Sequence, residues 1–344
     1  MSIIVPKGYK SCLDQQMTER AIKLVKDTFE RELSGELCLS RVTSPLFVKA
    51  NSGINDDLNG VERPVRFNVG NMNETGMEIV QSLAKWKRMA LADHGFAPDT
   101  GLYTDMNAIR PDDDIDNIHS IYVDQWDWER VMSDGERNVD FLKKIVTKIY
   151  EAIKRTEFLV SEYYPACAQT LPENITFIHS EEARALYPDL TPVQRERELA
   201  KKYGAIFLIG IGLPLTDGVM HGGRAPDYDD WSTPNSDGFY GLNGDIIVWD
   251  SVRGESLELS SMGIRVSPEA LVRQLEIRGC MERKDLYWHR RLLAGEFPQT
   301  IGGGIGQSRL CMFLLRKAHI GEVQASVWPD EDKAAAAKAG IVLM

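Results

Sequence analysis

Between residues 14 and 37, apolar positions recur at helical spacing: Met17, Ala21, Leu24, Val25, Thr28, Phe29 and Leu33 share one stripe, which predicts an amphipathic helix. A longer stripe predicts a second helix from about Gly135 to Tyr163. The segment from Leu39 to Val48 reads as a strand that contains Pro45. A proline cannot donate to a sheet ladder, so this strand belongs at an edge or a subunit boundary. Further strands are expected at 65–69, 77–80, 107–110, 120–128, 176–179, 205–211, 245–249 and 256–266. Helices are expected at 83–92, 191–203, 268–278 and 284–293. The run Gly302-Gly-Gly-Ile-Gly306 should open a hydrophobic helix reaching about Leu315, and the alanine-rich tail after Asp332 should be a surface helix or disordered. Strands joined by short loops outnumber βαβ units. The expected fold is α+β, a mixed, mainly antiparallel β-sheet flanked by helices, in a single domain spanning 1–344.

Composition narrows the classes. No stretch approaches the roughly 18 apolar residues of a membrane span, and residues 1–14 carry no apolar run resembling a signal peptide, so a cytoplasmic protein is expected. Five scattered cysteines without a C-x-x-C pair argue against a disulfide framework or a zinc cage. With 40 basic and 51 acidic residues the net charge is −11, which opposes generic nucleic-acid binding but says nothing of a local basic cleft. Ser82-Leu-Ala-Lys85 matches the S-x-x-K signature of penicillin-binding hydrolases, but the companion K-T-G strand is absent.

Four constellations could carry chemistry. Arg110 ends one strand before an acidic loop, and the return strand presents Gln125 and Asp127 on one face, with Tyr122, Asp124, Trp126 and Trp128 on the other. Such an arginine can fork onto a phosphate, and the polar pair can hold an amino acid; an exposed polar hairpin is the alternative. Gly302–Arg309 lacks the Lys-Ser/Thr of a Walker loop, yet a glycine run opening a helix suits an anion, with Arg309 beside a triphosphate tail. Glu258 and Ser260 should share a strand face, with Ser261 opposite unless the strand bulges; a carboxylate beside hydroxyls suits Mg²⁺ bridging phosphates. Arg224-Ala-Pro-Asp-Tyr-Asp-Asp-Trp-Ser232 is a dense acidic loop that could recognise a substrate ammonium, although an isolated loop of this kind is by default a solvated turn.

Together these stretches resemble the class II aminoacyl-tRNA synthetase catalytic domain. The helix and strand ending at Pro45 look like its first motif, Arg110 with the 124–127 strand like its second, and Gly302–Arg309 like its third. The blocks Asp57-Leu-Asn-Gly60, Ser82–Arg88, Gly101–Thr104, Val123–Arg130, Arg224–Thr233 and Glu258–Arg265 are similar to those of the ammonia-dependent aspartate ligases, or asparagine synthetases of type A, over about residues 15–329. Residues 330–344 are left unassigned.

That resemblance implies a homodimer that uses ATP, L-aspartate and ammonia, with Mg²⁺, to make asparagine, AMP and pyrophosphate through β-aspartyl-AMP. It implies Arg110 at the α-phosphate and Arg309 at the β- and γ-phosphates. Glu258 and Ser261 would serve magnesium and nucleotide, and Asp245 would lie near AMP. Ser82, Lys87, Gln125, Asp127, Asp229, Ser260 and Arg265 would surround the amino acid, with Asp56 near the reacting carboxamide. Asp56, Arg110 and Gln125 are the implied catalytic set. Gln81 stands where members of that family carry histidine, so contacts around it are expected to differ slightly. A tRNA synthetase core and an inactive binding paralogue are the competing readings.

Overall fold

The computed structural model describes residues 3–56, 58 and 62–344; the Asp57-Leu-Asn-Gly60 block lies outside the described residues except for Leu58. The first helix, α1 (Gln15–Leu37), is capped by Asp14, whose side chain accepts from the Met17 amide at 2.8 Å, and it ends at Cys38 in the left-handed region. Its buried face runs through Ala21, Val25, Phe29, Leu33 and Leu37, whereas Met17 is 37% exposed.

The expected strand from Leu39 to Val48 is broken at Pro45 into two pieces that serve different sheets. β1 (Leu39–Arg41) is an edge of the main sheet, and β2 (Phe47–Lys49) joins β3 (Arg66–Val69) and β4 (Thr75–Ile79) in a small antiparallel sheet of order β2-β4-β3. The helix α2 (Ala84–Asp93) follows. β5 (Gly101–Ile109) begins six residues before the expected start at Asn107, and Arg110 lies just beyond its end. β6 (Tyr122–Val131) returns antiparallel to it.

The long helix α3 (Val139–Tyr163) starts later than expected because Asn138 caps it, accepting from the Phe141 amide at 2.8 Å. Next come β7 (Thr176–His179), α4 (Ser180–Leu186), α5 (Pro192–Tyr203), β8 (Ala205–Ile209), β9 (Asn243–Asp250), β10 (Glu255–Ile264) and α6 (Pro268–Ile277). The expected helix at 284–293 is shorter, α7 (Tyr287–Leu293), because Leu286 is extended.

The glycine run is a correction. Gly302–Gly306 belongs to a central strand, β11 (Thr300–Gly306), and only then does α8 (Gln307–Leu314) begin. Side chains would not fit there: a Cβ on Gly302 would collide with the Glu129 carboxylate, and one on Gly303 would lie 2.7 Å from the Ser261 carbonyl oxygen. The tail forms α9 (Asp330–Ala339), which docks rather than floats: Ala336 and Ile341 are buried with Ile3 and Ala318.

The main sheet has the order β1-β5-β6-β11-β10-β9-β8-β7, antiparallel through the middle and parallel at the β1–β5 and β7–β8 edges. The expected mixed, mainly antiparallel α+β architecture is what the chain adopts. Period-two alternation sorts its faces. Trp126, Trp128, Met262, Ile264, Ile301 and Ile305 turn into the core that α1, α3 and α8 cover. The intervening residues of β6, β10 and β11 turn the other way, into a cleft. No helix among the described residues is long and apolar enough to cross a membrane.

Candidate active site

The cleft has a volume of about 570 Å³ and brings together every residue to which the resemblance gives a catalytic, substrate, nucleotide or metal role, except Ser260 and Asp245. The two exceptions differ in cause. A β-bulge shifts the β9–β10 register between Glu258 and Ser260, so Ser261, not Ser260, joins Glu258 on the cleft side. Ser260 is buried and stands in line with the core residues Met262 and Ile264. Asp245 stands on the neighbouring strand β9, opposite Ser261, and accepts from Ser261 Oγ at 2.6 Å.

One end of the cleft holds guanidinium groups that rest on backbone. Arg110, just past β5, donates from Nε and Nη2 to the Gln81 carbonyl oxygen at 3.1 and 3.0 Å. Arg309, in the first turn of α8, donates from Nη1 to the Glu258 carbonyl oxygen at 3.1 Å, with the Glu258 carboxylate 3.8 Å away. Neither arginine makes a hydrogen bond to a carboxylate among the described contacts, so each fork can turn to an anionic ligand. The Glu258 side chain is 43% exposed, and its recessed position and the nearby Asp245 raise its pKa. It is a hard oxygen donor open to the cleft, and it fits a magnesium ion whose other ligands are phosphate oxygens. The hydroxyl of Ser261 is already engaged, donating to Asp245 and accepting from Arg224, and it fits that role less well.

The other end holds opposite charges in alternation. Lys87, on α2, is fully buried and donates to Asp127 and, at 2.9 Å, to the Gly303 carbonyl oxygen. Burial lowers the Lys87 pKa, against the pull of Asp127. The second oxygen of Asp127 accepts no hydrogen bond among the described residues. Arg265 forks onto Glu129 from Nε and Nη2 at 3.0 and 2.8 Å and donates to Asp229 from Nη1. Burial opposes the Arg265 charge, but Glu129 and Asp229 outweigh it and raise its pKa. Burial raises the pKa of Asp229, against Arg265 and Arg224. Gln125 lies over β11, where a side chain on Gly304 would strike its amide oxygen. Ser82 lines the wall, its Oγ accepting from the Ala84 amide at 3.1 Å. Asp56 is buried at the rim, its Oδ1 accepting from the Leu58 amide at 3.1 Å.

The acidic loop after Arg224 is not a solvated turn. Asp227, Asp229, Asp230 and Trp231 are almost fully buried, because arginines and lysine neutralise the carboxylates: Lys85 donates to Asp227 at 3.0 Å, and Arg137 pairs with Asp230. Two cleft-building residues received no role from the sequence. Arg224 binds Asp245 at 2.6 Å and lies 3.3 Å from Asp229, which spans the two ends. Glu129 falls on the Gln125–Asp127 face by strand alternation, a signal legible in advance.

Known proteins are similar to this chain in sequence and in fold. The family model described as aspartate-ammonia ligase matches residues 16–340. An aspartate–ammonia ligase of Parabacteroides distasonis is 59% identical over 342 residues, 99% of each chain. One of Ruminiclostridium cellulolyticum is 56% identical over 330 residues, 96% of each chain. Among solved structures, asparaginyl-tRNA synthetase of Pyrococcus horikoshii complexed with asparaginyl-adenylate is similar in fold, with a TM-score of 0.67 at 16% identity over 91% of this chain and 70% of that one. An Entamoeba histolytica aspartyl-tRNA synthetase has a TM-score of 0.58 at 17% identity over 89% and 57%. The class II synthetase fold and the near full-length identity lead to one conclusion: this chain belongs to the aspartate–ammonia ligase family.

Proposed function

We propose that the cleft adenylates the side-chain carboxylate of L-aspartate with ATP and passes the acyl group to ammonia, releasing asparagine, AMP and pyrophosphate. The observation that carries this reading is the division of one cleft into two electrostatic ends. Arg110 and Arg309, whose hydrogen bonds go to backbone carbonyls, offer positive charge at one end, and Lys87–Asp127 and Arg265–Asp229 alternate charge at the other. Phosphates fit the first end, and a zwitterion with an additional carboxylate fits the second.

A carboxylate is a poor electrophile until one oxygen becomes part of a good leaving group. The aspartate β-carboxylate attacks the α-phosphorus, β-aspartyl-AMP forms and pyrophosphate leaves. Arg110 meets charge developing on the α-phosphate, and Arg309 meets it on the departing β- and γ-phosphates. Magnesium, held by Glu258 and phosphate oxygens, would add charge neutralisation there. Asp245 and Arg224 border the AMP side, while Ser82, Gln125, Asp127, Asp229, Lys87 and Arg265 orient the amino acid. Ammonium must shed a proton before its nitrogen can attack the anhydride, and Asp56 is the carboxylate assigned to accept it.

The same reading gives residues 1–344 to one catalytic domain in the cytoplasm, acting as a homodimer. The exposed Leu46, Phe47 and Phe67 beside Pro45, with Phe47 and Phe67 in edge contact at 5.4 Å, support a partner surface there. A monomer in light scattering at micromolar concentration would refute the dimer.

The functional test pairs two assays on one preparation: AMP release dependent on both aspartate and ammonium, and charging of tRNA with aspartate or asparagine. The first should proceed and the second should not. Aminoacylation without asparagine release would overturn the proposal.

A further inference from the structure

Gln81 lies between β4 and α2 and is completely buried, yet it is tied both to Arg110 and to Asp56. Its carbonyl oxygen accepts both N–H groups of the Arg110 fork. Its side-chain Nε2 donates to the Asp56 carbonyl oxygen at 2.8 Å, a buried bond. Its backbone amide donates at 2.9 Å to Asn55 Oδ1, which also accepts from the Asp56 amide at 3.0 Å. Asn55 is anchored in turn, donating from Nδ2 to the Ile79 carbonyl oxygen at 3.1 Å. Asp56 is thus stitched to the segment that supports Arg110, and one stitch is made by the Gln81 side chain.

We infer that Gln81 is a positioning residue for the nitrogen-transfer step: its side-chain amide fixes Asp56 where ammonium is bound and deprotonated. This rests on the ligase reading above. The two functions of Gln81 are separable because they use different atoms. The Arg110 contact goes to the main chain and survives any substitution, whereas the Asp56 contact goes to the side chain. Losing the side-chain amide releases the Asp56 carbonyl oxygen but leaves the phosphate fork in place. A general base displaced by about 1 Å can cost about a hundredfold in rate, and adenylation needs no base on ammonia.

The experiment compares wild type, Gln81→Glu and Gln81→Leu. Gln81→Glu keeps the shape but sets an acceptor against the Asp56 carbonyl; Gln81→Leu removes donor and acceptor together. Three quantities are read: aspartate-dependent ATP–pyrophosphate exchange, the Michaelis constant for ammonium, and the ratio of AMP to asparagine formed. Exchange should stay within about threefold of wild type, since the atoms Arg110 touches are unchanged. Asparagine formation should fall about tenfold to a hundredfold with a raised ammonium constant. The AMP-to-asparagine ratio should climb above one, as water takes the waiting acyl adenylate. Equal losses in exchange and amide formation, or an unchanged ratio and ammonium constant, would overturn the inference. So would variants that no longer unfold cooperatively, because a positioning role leaves the core intact. A wild type without aspartate-dependent exchange would instead sink the ligase reading itself.

Discussion

Replacing Lys87 with methionine keeps the length of the stem and removes the charge. Lys87 is fully buried, its ammonium held by Asp127 and the Gly303 carbonyl oxygen. The substitution strands the Asp127 carboxylate, whose relative exposure is 3%, without its closest cation. Breaking a buried pair from one side costs about 3–5 kcal/mol, because the surviving charge has lost both water and partner. Arg265 also feels Asp127 and offsets part of the loss, so the lower end, about 3 kcal/mol, is expected. Urea unfolding of Lys87→Met, Asp127→Leu and the double variant completes a cycle that isolates the pair. The double variant should return to within about 1 kcal/mol of wild type, since an apolar replacement of both partners is often neutral. It should nevertheless fail to make asparagine, having lost the charges proposed to orient aspartate. A single variant losing less than about 1 kcal/mol, or a double variant no more stable than Lys87→Met, would refute the idea that the pair is mutually dependent.

Arg110→Ala and Arg309→Ala should each lose about 3 kcal/mol or more of transition-state stabilisation in kcat/KM, by analogy with removing a preorganised donor. Lysine should rescue poorly at either position because the planar fork is gone, and near-normal turnover in both lysine variants would contradict the phosphate assignment. Gly302→Ala should destabilise the protein by about 2–3 kcal/mol in chemical denaturation, because its methyl group must displace the Glu129–Arg265 pair. Burial lowers the His319 pKa to about 4, so the native imidazole stays neutral while the unfolded one takes up a proton below about 6.5. Stability from this group is therefore fully present above about pH 6.5 and is lost as pH falls towards about 4, roughly 2 kcal/mol of it by pH 5. His319→Gln should flatten the slope of unfolding free energy between pH 7 and pH 5, and an unaltered slope would exclude His319 as its source.

The long helices were legible because each buries one stripe: Ala21, Val25, Phe29 and Leu33 in α1, and Leu142, Ile145, Ile149 and Ile153 in α3. The division of β6 was equally readable, since Trp126 and Trp128 had to turn away from Gln125 and Asp127. What failed to show was set by tertiary contact. The first half of β5 is buried on both sides, so Gly101-Leu-Tyr-Thr lacks alternation. Gly302–Gly306 contradicts strand propensity, and it forms a strand because Glu129, Arg265 and Gln125 fill the space side chains would take. The bulge that exchanges Ser260 for Ser261 leaves no trace in periodicity; only the register with β9 reveals it. The burial of Asp227, Asp229 and Asp230 could not be foreseen without Lys85, Arg265 and Arg137, which arrive from distant parts of the chain.

β11 has a consequence for the order in which the molecule can assemble during synthesis. It is the last strand of the main sheet in sequence but sits at its centre, pairing with β6 on one side and β10 on the other. The β5–β6 hairpin, which carries Gln125 and Asp127, and the β9–β10 hairpin, which carries Glu258 and Ser261, therefore emerge from the ribosome as two sheets with no shared edge. Each exposes an unpaired flank, the kind of surface that associates wrongly with other chains, until residues 300–306 arrive to join them. Closure of the sheet and creation of the cleft are then a single late event, and Arg309 arrives only after it, so a chain released before this strand would hold Gln125, Asp127, Glu258 and Ser261 on two unjoined sheets and lack half of its phosphate grip.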